Sequence, residues 1–346
     1  MKRIGIVGHL GKGLNLLNGQ TIKTKIVTAE LKRVFGNDDV LEIDTHGGLK
    51  LFFRLPYLLF LVLLKCKNVV IMPAQNGLLV IPPLLYVMNV FFKRKIHYVV
   101  VGGWMPNLIS KRPFLTHCLK QFEQIYVETS VVKETLEGRH FSNVSIMQNC
   151  KALQIVSCRE LDDKRDNVLR LCLFSRVMEQ KGVGHAVAAV AKMNERFGKE
   201  ACCLDIYGQI ENSETEWFKK LQESFPSNVS YKGVVSFDKS VGVLKGYSAL
   251  LFPTLFFTEG VPGTIIDAYA AGLPVISSRW ASFSDVIDEG KTGLGYEFGS
   301  FEQLCLLLES LLSSPEKLNG MRFACVEKAR HFLPENAMKM FVDRMR

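Results

Sequence analysis

Residues Phe252–Ile276 read FPTLFFTEGVPGTIIDAYAAGLPVI. The apolar run Ala249–Phe252 leads into them and predicts a strand buried on both faces. A loop follows that carries Glu259 and Gly260. The spacing over Thr264–Ala271 predicts a helix, with Pro262 near its start and Gly272 at its end. Pro274–Ser277 reads as the next strand. Strand, loop, helix and strand in this order make a parallel βαβ unit, which binds ligands outside the carboxyl ends of its strands. The helix start at Val261–Thr264, around Pro262, offers the unpaired N–H groups of Val261, Gly263 and Thr264 to a phosphate. Glu259 can accept hydrogen bonds from the hydroxyls of a polar ligand. Asp267, eight residues on, can accept from a second diol such as a ribose. That separation fits one ligand of nucleotide-sugar length.

Upstream, Leu173–Gly182 reads LFSRVMEQKG. Arg176 and Lys181 follow a predicted strand, Val168–Phe174, at its carboxyl edge. Two cations there suit a diphosphate and can stabilise charge on a departing phosphate without a metal. Alternation of strand and helix extends in both directions. Strands are predicted at Ile4–Val7, Val40–Ile43, Val69–Met72, Tyr98–Val101, Ile125–Val127 and Val144–Met147, and again at Cys203–Tyr207 and Val229–Tyr231. Residues 157–167 (SCRELDDKRDN) are the most polar stretch and read as a linker. The pattern therefore predicts an α/β chain of two doubly wound domains with a cleft between them, residues 1–156 and 168–332. Residues 333–346 follow as a terminal helix over Glu335–Arg346.

The chain has 346 residues, 22% of them charged and 48% hydrophobic, which excludes a disordered chain. The net charge of +9 is unevenly placed: residues 1–150 carry 19 Lys/Arg against 9 Asp/Glu, so the excess lies in the first half. No acid occurs between Asp44 and Glu123, while Lys50, Arg54, Lys65, Lys67, Lys93, Arg94, Lys95, Lys111, Arg112 and Lys120 do. That half is expected to meet an anionic partner. Two apolar runs, Leu51–Leu64 and Gly77–Phe92, lie within the same stretch, broken by Arg54 and Pro56 and by Pro82 and Pro83. A 14-residue helix spans only about 21 Å, against ~30 Å of hydrocarbon. Neither run is expected to cross a membrane. Together they fit a surface that dips apolar side chains among anionic headgroups, or helices packed on the sheet. Interleaving with aliphatic runs argues against a nucleic-acid groove. Nine Cys without a C-x-x-C pair, four of them in apolar surroundings, read as reduced thiols of a cytosolic protein. MKRIGIVG at the start reads as a first strand and not as a signal peptide.

Several familiar sites are absent. The loop Gly8–Gly13 is no P-loop, because Ile6 stands where the first Gly belongs and Gly13 replaces the Ser/Thr. Gly8, Gly11 and Gly13 also have the wrong spacing for a dinucleotide fingerprint. There is no G-x-S-x-G, H-E-x-x-H or D-x-D, and no His cluster at ligand spacing. No metal site is expected.

The segments around Arg176–Lys181 and Glu259–Asp267 resemble the retaining, nucleotide-sugar-dependent glycosyltransferases of family 4, among them bacterial surface-polysaccharide enzymes. The similarity spans about Leu171–Gly299 and includes Tyr207-Gly208, Lys232-Gly233 and Ala271–Pro274. It implies a GT-B fold, with two Rossmann-like domains facing a cleft and a final helix crossing back to the first domain. Arg176 and Lys181 would then grip the donor diphosphate, and Glu259 would lie at the donor sugar. Asp267, in place of the family's second Glu, would lie at the ribose. Gly208 and Gly260–Thr264 would complete the donor site. No cofactor or metal is implied, and the anomeric configuration would be retained. Asn18-Gly19-Gln20-Thr21 occupies the place of the family's Gly-rich loop, near donor phosphate or acceptor. Where the family often has a His, this chain has Gly102-Gly103-Trp104, so no catalytic His is assigned. The two glycines permit close backbone approach, and Trp104 either stacks on a sugar or packs in a turn. His9 is a further candidate.

The expected function is transfer of a sugar from a nucleotide-diphosphate sugar to a lipid-linked saccharide. The expected place is the anionic inner face of the plasma membrane, with the protein peripheral and no nucleic acid bound. A sugar-nucleotide epimerase of the same fold and a non-catalytic membrane-docking subunit are the alternatives.

Overall fold

The structure, a computed structural model, describes residues 1–14, 19–161, 168–197 and 200–346, the side chains of residues 49, 50 and 52 excepted. Asn18 and residues 162–167 of the expected linker lie outside the described residues. The chain divides into two compact units. One comprises Met1–Ala152 with Phe332–Arg346, the other Leu153–His331.

The first unit holds six parallel strands: β1 (Lys2–Gly8), β2 (Val40–Asp44), β3 (Cys66–Met72), β4 (Lys95–Val99), β5 (Gln124–Val127) and β6 (Val144–Ile146). Their order is β2-β1-β3-β4-β5-β6. Apolar residues fill both faces of the inner strands; Ile4, Ile6, Val69, Val70 and Ile71 are fully buried. The helix Gly48–Lys65 packs so closely on β1 that a Cβ at Gly5 would lie 2.1 Å from Val62 Cγ2. It is amphipathic. Leu55, Leu59, Val62 and Leu63 are buried, while Phe53, Tyr57, Phe60 and Leu64 face outward.

Gln75–Phe92 is long and apolar enough to cross a bilayer, and only 22% of it is buried. Two helices, Gln75–Leu78 and Ile81–Phe92, divide it. It links β3 to the adjacent parallel β4, so both its ends are tied to the sheet. β4 itself begins at Lys95 and ends at Val99, earlier than the run Tyr98–Val101 implied. Its register pairs Lys95 with Asn68 and Tyr98 with Ile71.

The C-terminal segment is two short helices, Pro334–Ala337 and Lys339–Asp343, where one was expected. The backbone leaves helical geometry at Met338 (φ −96°, ψ 1°), which places Met338, Phe341, Val342 and Met345 in the core of the first unit.

The second unit also has six parallel strands: β7 (Leu169–Phe174), β8 (Cys202–Tyr207), β9 (Val229–Gly233), β10 (Ala249–Phe252), β11 (Val275–Ser278) and β12 (Gly293–Tyr296). Their order is β12-β11-β10-β7-β8-β9. The strand order reverses at β7, between β10 and β8. In such sheets this is where the connecting loops part and leave a crevice. The edge strand β12 was not anticipated. It contains Gly293 and Gly295, and a Cβ on Gly293 would stand 2.3 Å from the Val275 carbonyl oxygen.

Candidate active site

The loops after β7 and β10 meet at that reversal. Leu255 N donates to the Gln180 carbonyl at 2.9 Å. Gly182 adopts φ 72°, and a Cβ there would be 1.9 Å from the Pro253 carbonyl oxygen. Only glycine lets the two backbones approach so closely. Their contact brings Lys181 and Glu259 together: Lys181 Nζ pairs with Glu259 Oε2. The side chains are 14% and 16% exposed, so solvent screens the pair little. Thr254 Oγ1 lies 3.5 Å from the same carboxylate oxygen, and Lys181 Nζ lies 5.8 Å from the Phe252 ring centre. Each charge neutralises the other and holds it at the strand ends.

Arg176 is held differently. Its side chain is 66% exposed, and Nη1 donates to Glu211 Oε2 at 2.9 Å. Glu211 was missed in the sequence, since no motif ties it to Arg176. Gly208, at φ 138°, presses the turn after β8 against this loop; a Cβ would stand 1.7 Å from the Ser175 carbonyl oxygen. Tyr231 Oη fixes the same turn by donating to the Gly208 carbonyl at 2.8 Å. Nearby, Tyr247 Oη donates to Asp205 Oδ2 and meets Tyr207 Oη, each at 2.7 Å. Burial first, then these two hydrogen bonds, push the Tyr247 hydroxyl well above its usual range, so it stays a donor.

The helix Gly263–Ala270 begins at Pro262 with no side-chain cap. Val261 and Pro262 are buried, and the Thr264 hydroxyl is buried with no hydrogen-bond partner among the described residues. Gly260 and Gly263 are half-buried. Asp267 is only 3% exposed, on a helix whose Ile265, Ile266, Ala268 and Tyr269 are also buried. Its carboxylate is covered rather than open to solvent.

In the first unit, Gly19 opens the helix Gly19–Phe35, and Gln20 Nε2 donates to the Met72 carbonyl at the end of β3 (2.9 Å). His9 Nδ1 is 2.7 Å from Thr21 Oγ1, and His9 Nε2 is 2.9 Å from His46 Nδ1. His46 was not singled out in the sequence; it follows β2 by two residues. Asp44 organises the loop after β1, accepting from the N–H groups of Leu10, Gly11, Lys12 and His46. Burial alone would push its pKa up, but those four bonds together outweigh burial and hold the carboxyl below its ordinary range. Lys23 and Glu128 form a buried ion pair, also missed, with Lys23 Nζ 3.3 Å from the Val100 carbonyl. Gly102 turns the chain at φ 79°. Gly103 and Trp104 follow half-buried, with Trp104 packed against the apolar core at the start of the helix Met105–Ile109.

Comparison with known proteins agrees with this architecture. The family described as glycosyl transferases group 1 matches residues 169–314. An amylovoran biosynthesis glycosyltransferase, AmsK of Erwinia amylovora, is 23% identical over 215 residues, covering 58% of this chain and 52% of that one. The chain thus aligns with about half the length of this curated relative. The solved structure of Anabaena Alr3699/HepE in complex with UDP is similar over 100% of this chain and 99% of that one, with a TM-score of 0.79 at 12% identity. The lipopolysaccharide outer core galactosyltransferase WaaB, in its apo form, covers 99% and 98% with a TM-score of 0.71 at 16% identity. The two six-stranded parallel sheets have the GT-B fold, and residues 169–314, which hold Arg176, Lys181 and Glu259, match the group 1 glycosyl transferases.

Proposed function

We propose that this protein is a glycosyltransferase that moves a sugar from a nucleotide-diphosphate sugar to an acceptor hydroxyl, with retention of anomeric configuration. The observation that carries this reading is the Lys181–Glu259 pair at the strand-order reversal of the second unit. The diphosphate takes Lys181 Nζ and the guanidinium of Arg176 as counter-charges. Glu259, released from its full share of Lys181, accepts from hydroxyls of the donor sugar. The N–H groups opening the helix at Gly263 face the same phosphates, and Gly208 lets the backbone come close to them. Asp267 takes the ribose, which requires its cover to move when donor binds. As the glycosidic bond breaks, negative charge grows on the leaving diphosphate, and the two cations stabilise it. The acceptor hydroxyl attacks from the face the diphosphate leaves and gives its proton to the departing phosphate oxygen. This reading requires no metal and no cofactor.

We extend the proposal to the acceptor. A lipid-linked saccharide, presented at the cytoplasmic face of the plasma membrane, fits the first unit. Phe53 and Phe91 are 80% and 85% exposed, on the two apolar helices of a stretch with ten cations and no acid. In this reading Gly19, Gln20, Gly102, Gly103 and Trp104 form the acceptor or phosphate loop.

The experiment is a thermal-shift screen of nucleotide-diphosphate sugars, since a ligand of the folded state raises the melting temperature. Uridine nucleotides come first, because neighbours are described as bound to UDP and to UDP-glucose. Lys181→Ala and Glu259→Gln should each lower transfer by about 10²–10³. Nuclear magnetic resonance of the product should give the donor's anomeric configuration. Turnover of donor without any acceptor would favour an epimerase, and unchanged activity in Glu259→Gln would favour a non-catalytic subunit.

A further inference from the structure

A cavity in the first unit is lined by none of the residues assigned to the donor or acceptor site, and lies between the helices Met105–Ile109 and Pro113–Lys120 and the turn after the helix Ser130–Glu137. Ser110, Thr116, His117, Lys120 and Arg139 supply its polar wall. Among the described residues, neither Lys120 nor Arg139 has a carboxylate partner within ion-pair distance. Lys120 Nζ lies 5.2 Å from the Phe141 ring centre, and Arg139 spends one N–H on the Pro106 carbonyl. That bond fixes the guanidinium and leaves further donors. Thr116 Oγ1 and Ser110 Oγ donate to backbone carbonyls, at 3.0 Å to Arg112 and 2.7 Å to Asn107, so the cations are the free donors. Two uncompensated cations in a concave site favour an anion with several acceptor oxygens.

The cavity borders the exposed apolar face. His117 Nε2 is 3.1 Å from Tyr86 Oη, and the Tyr86 ring meets Phe114, which is 57% exposed, edge to face at 6.4 Å. Tyr86 and Val90 lie one helical turn apart, and Val87, Val90 and Phe91 are all exposed. An anion with an apolar tail meets both features; a free anion meets only one.

We propose that this cavity binds the phosphate group of a membrane lipid through Lys120 and Arg139, beside the apolar face that receives the acyl chains. The inference rests on the membrane-docking reading above and adds a headgroup site to it. The probe is dihexanoyl phosphatidic acid, soluble below its micelle concentration, titrated calorimetrically against the full chain. Inorganic phosphate and dihexanoyl phosphatidylcholine are the comparison arms. The phosphatidic acid should bind, and at least about tenfold more tightly than either other ligand. Lys120→Gln and Arg139→Gln should each weaken it about tenfold or more, the loss expected for one charge-assisted contact. Lys120→Gln serves where Arg139→Gln, which loses the Pro106 contact, fails to fold. Inorganic phosphate binding as tightly as the lipid would overturn the assignment, as would no binding, or undiminished binding by Lys120→Gln. Docking is read separately by sedimentation with anionic vesicles. Phe91→Asp should lose vesicles and keep the soluble lipid, so failure of docking and failure of the pocket are distinguishable.

Discussion

At Gly182 the backbone is left-handed, and the Pro253 carbonyl occupies the direction a Cβ would take. Gly182→Ala must therefore part the β7 and β10 loops, and with them Lys181 from Glu259. The expected cost is more than about 1 kcal/mol of stability, with a weaker donor complex. Thermal melting with and without nucleotide sugar checks this; wild-type melting and donor affinity would refute it. Lys181 and Glu259 were legible in the sequence, because each follows an apolar run that can only be a buried strand. Their direct pairing was not, since 78 residues separate them. Glu211 on Arg176, His46 on His9 and Glu128 on Lys23 were invisible for the same reason.

At the scale of elements, the helices Gly48–Lys65 and Ile81–Phe92 carry the first unit's surface. Their composition announces apolarity without saying which face is covered. The fold divides them, with Leu59 and Leu85 fully buried and Phe53 and Phe91 almost bare. Phe91→Asp should leave stability within about 0.5 kcal/mol of wild type, as for other exposed positions. It should nevertheless reduce sedimentation with anionic vesicles. Leu59→Asp should instead unfold the unit, because it buries a charge among Leu55, Val62 and Leu63. The edge strand β12 shows where element reading stops. Its two glycines weaken any strand signal, yet they are required by the closeness of Val275 and Phe283.

For the whole molecule, the last residues decide the stability of a core begun at residue 4. Met338, Phe341, Val342 and Met345 are at most 6% exposed and pack with Ile4, Ile6 and Tyr126. Removing residues 338–346 deletes these four buried side chains, each worth about 1.5–3 kcal/mol, and uncovers the core they pack on. The sum rivals the stability of an entire domain, so the truncated first unit should not fold. Circular dichroism and limited proteolysis would report this.

The same core sets an acid limit. His97 is fully buried, with Tyr126 Oη 3.4 Å from Nδ1 and Phe341 edge-on at 6.3 Å. Burial, aided by Lys95 and Arg344, lowers its pKa from 6.5 to about 4. A histidine that is harder to protonate when folded contributes stability in full above its unfolded pKa. That contribution is lost as pH falls from about 6.5 to about 4. The loss should reach about 3 kcal/mol, and His97→Asn should flatten it in denaturant titrations across this window.

The sequence by itself determined the alternation of strand and helix, the two parallel sheets and the loops that bear Arg176, Lys181 and Glu259. Local rules suffice there: continuous apolar runs have no option but burial, and the ligand end of a parallel strand is its carboxyl end. Only the tertiary structure decided the pairs between distant residues and the break of the last helix at Met338. It alone also determined the covering of Asp267 and the pocket of Lys120 and Arg139. Each of these depends on which surfaces meet, and that depends on the packing of segments far apart in the chain.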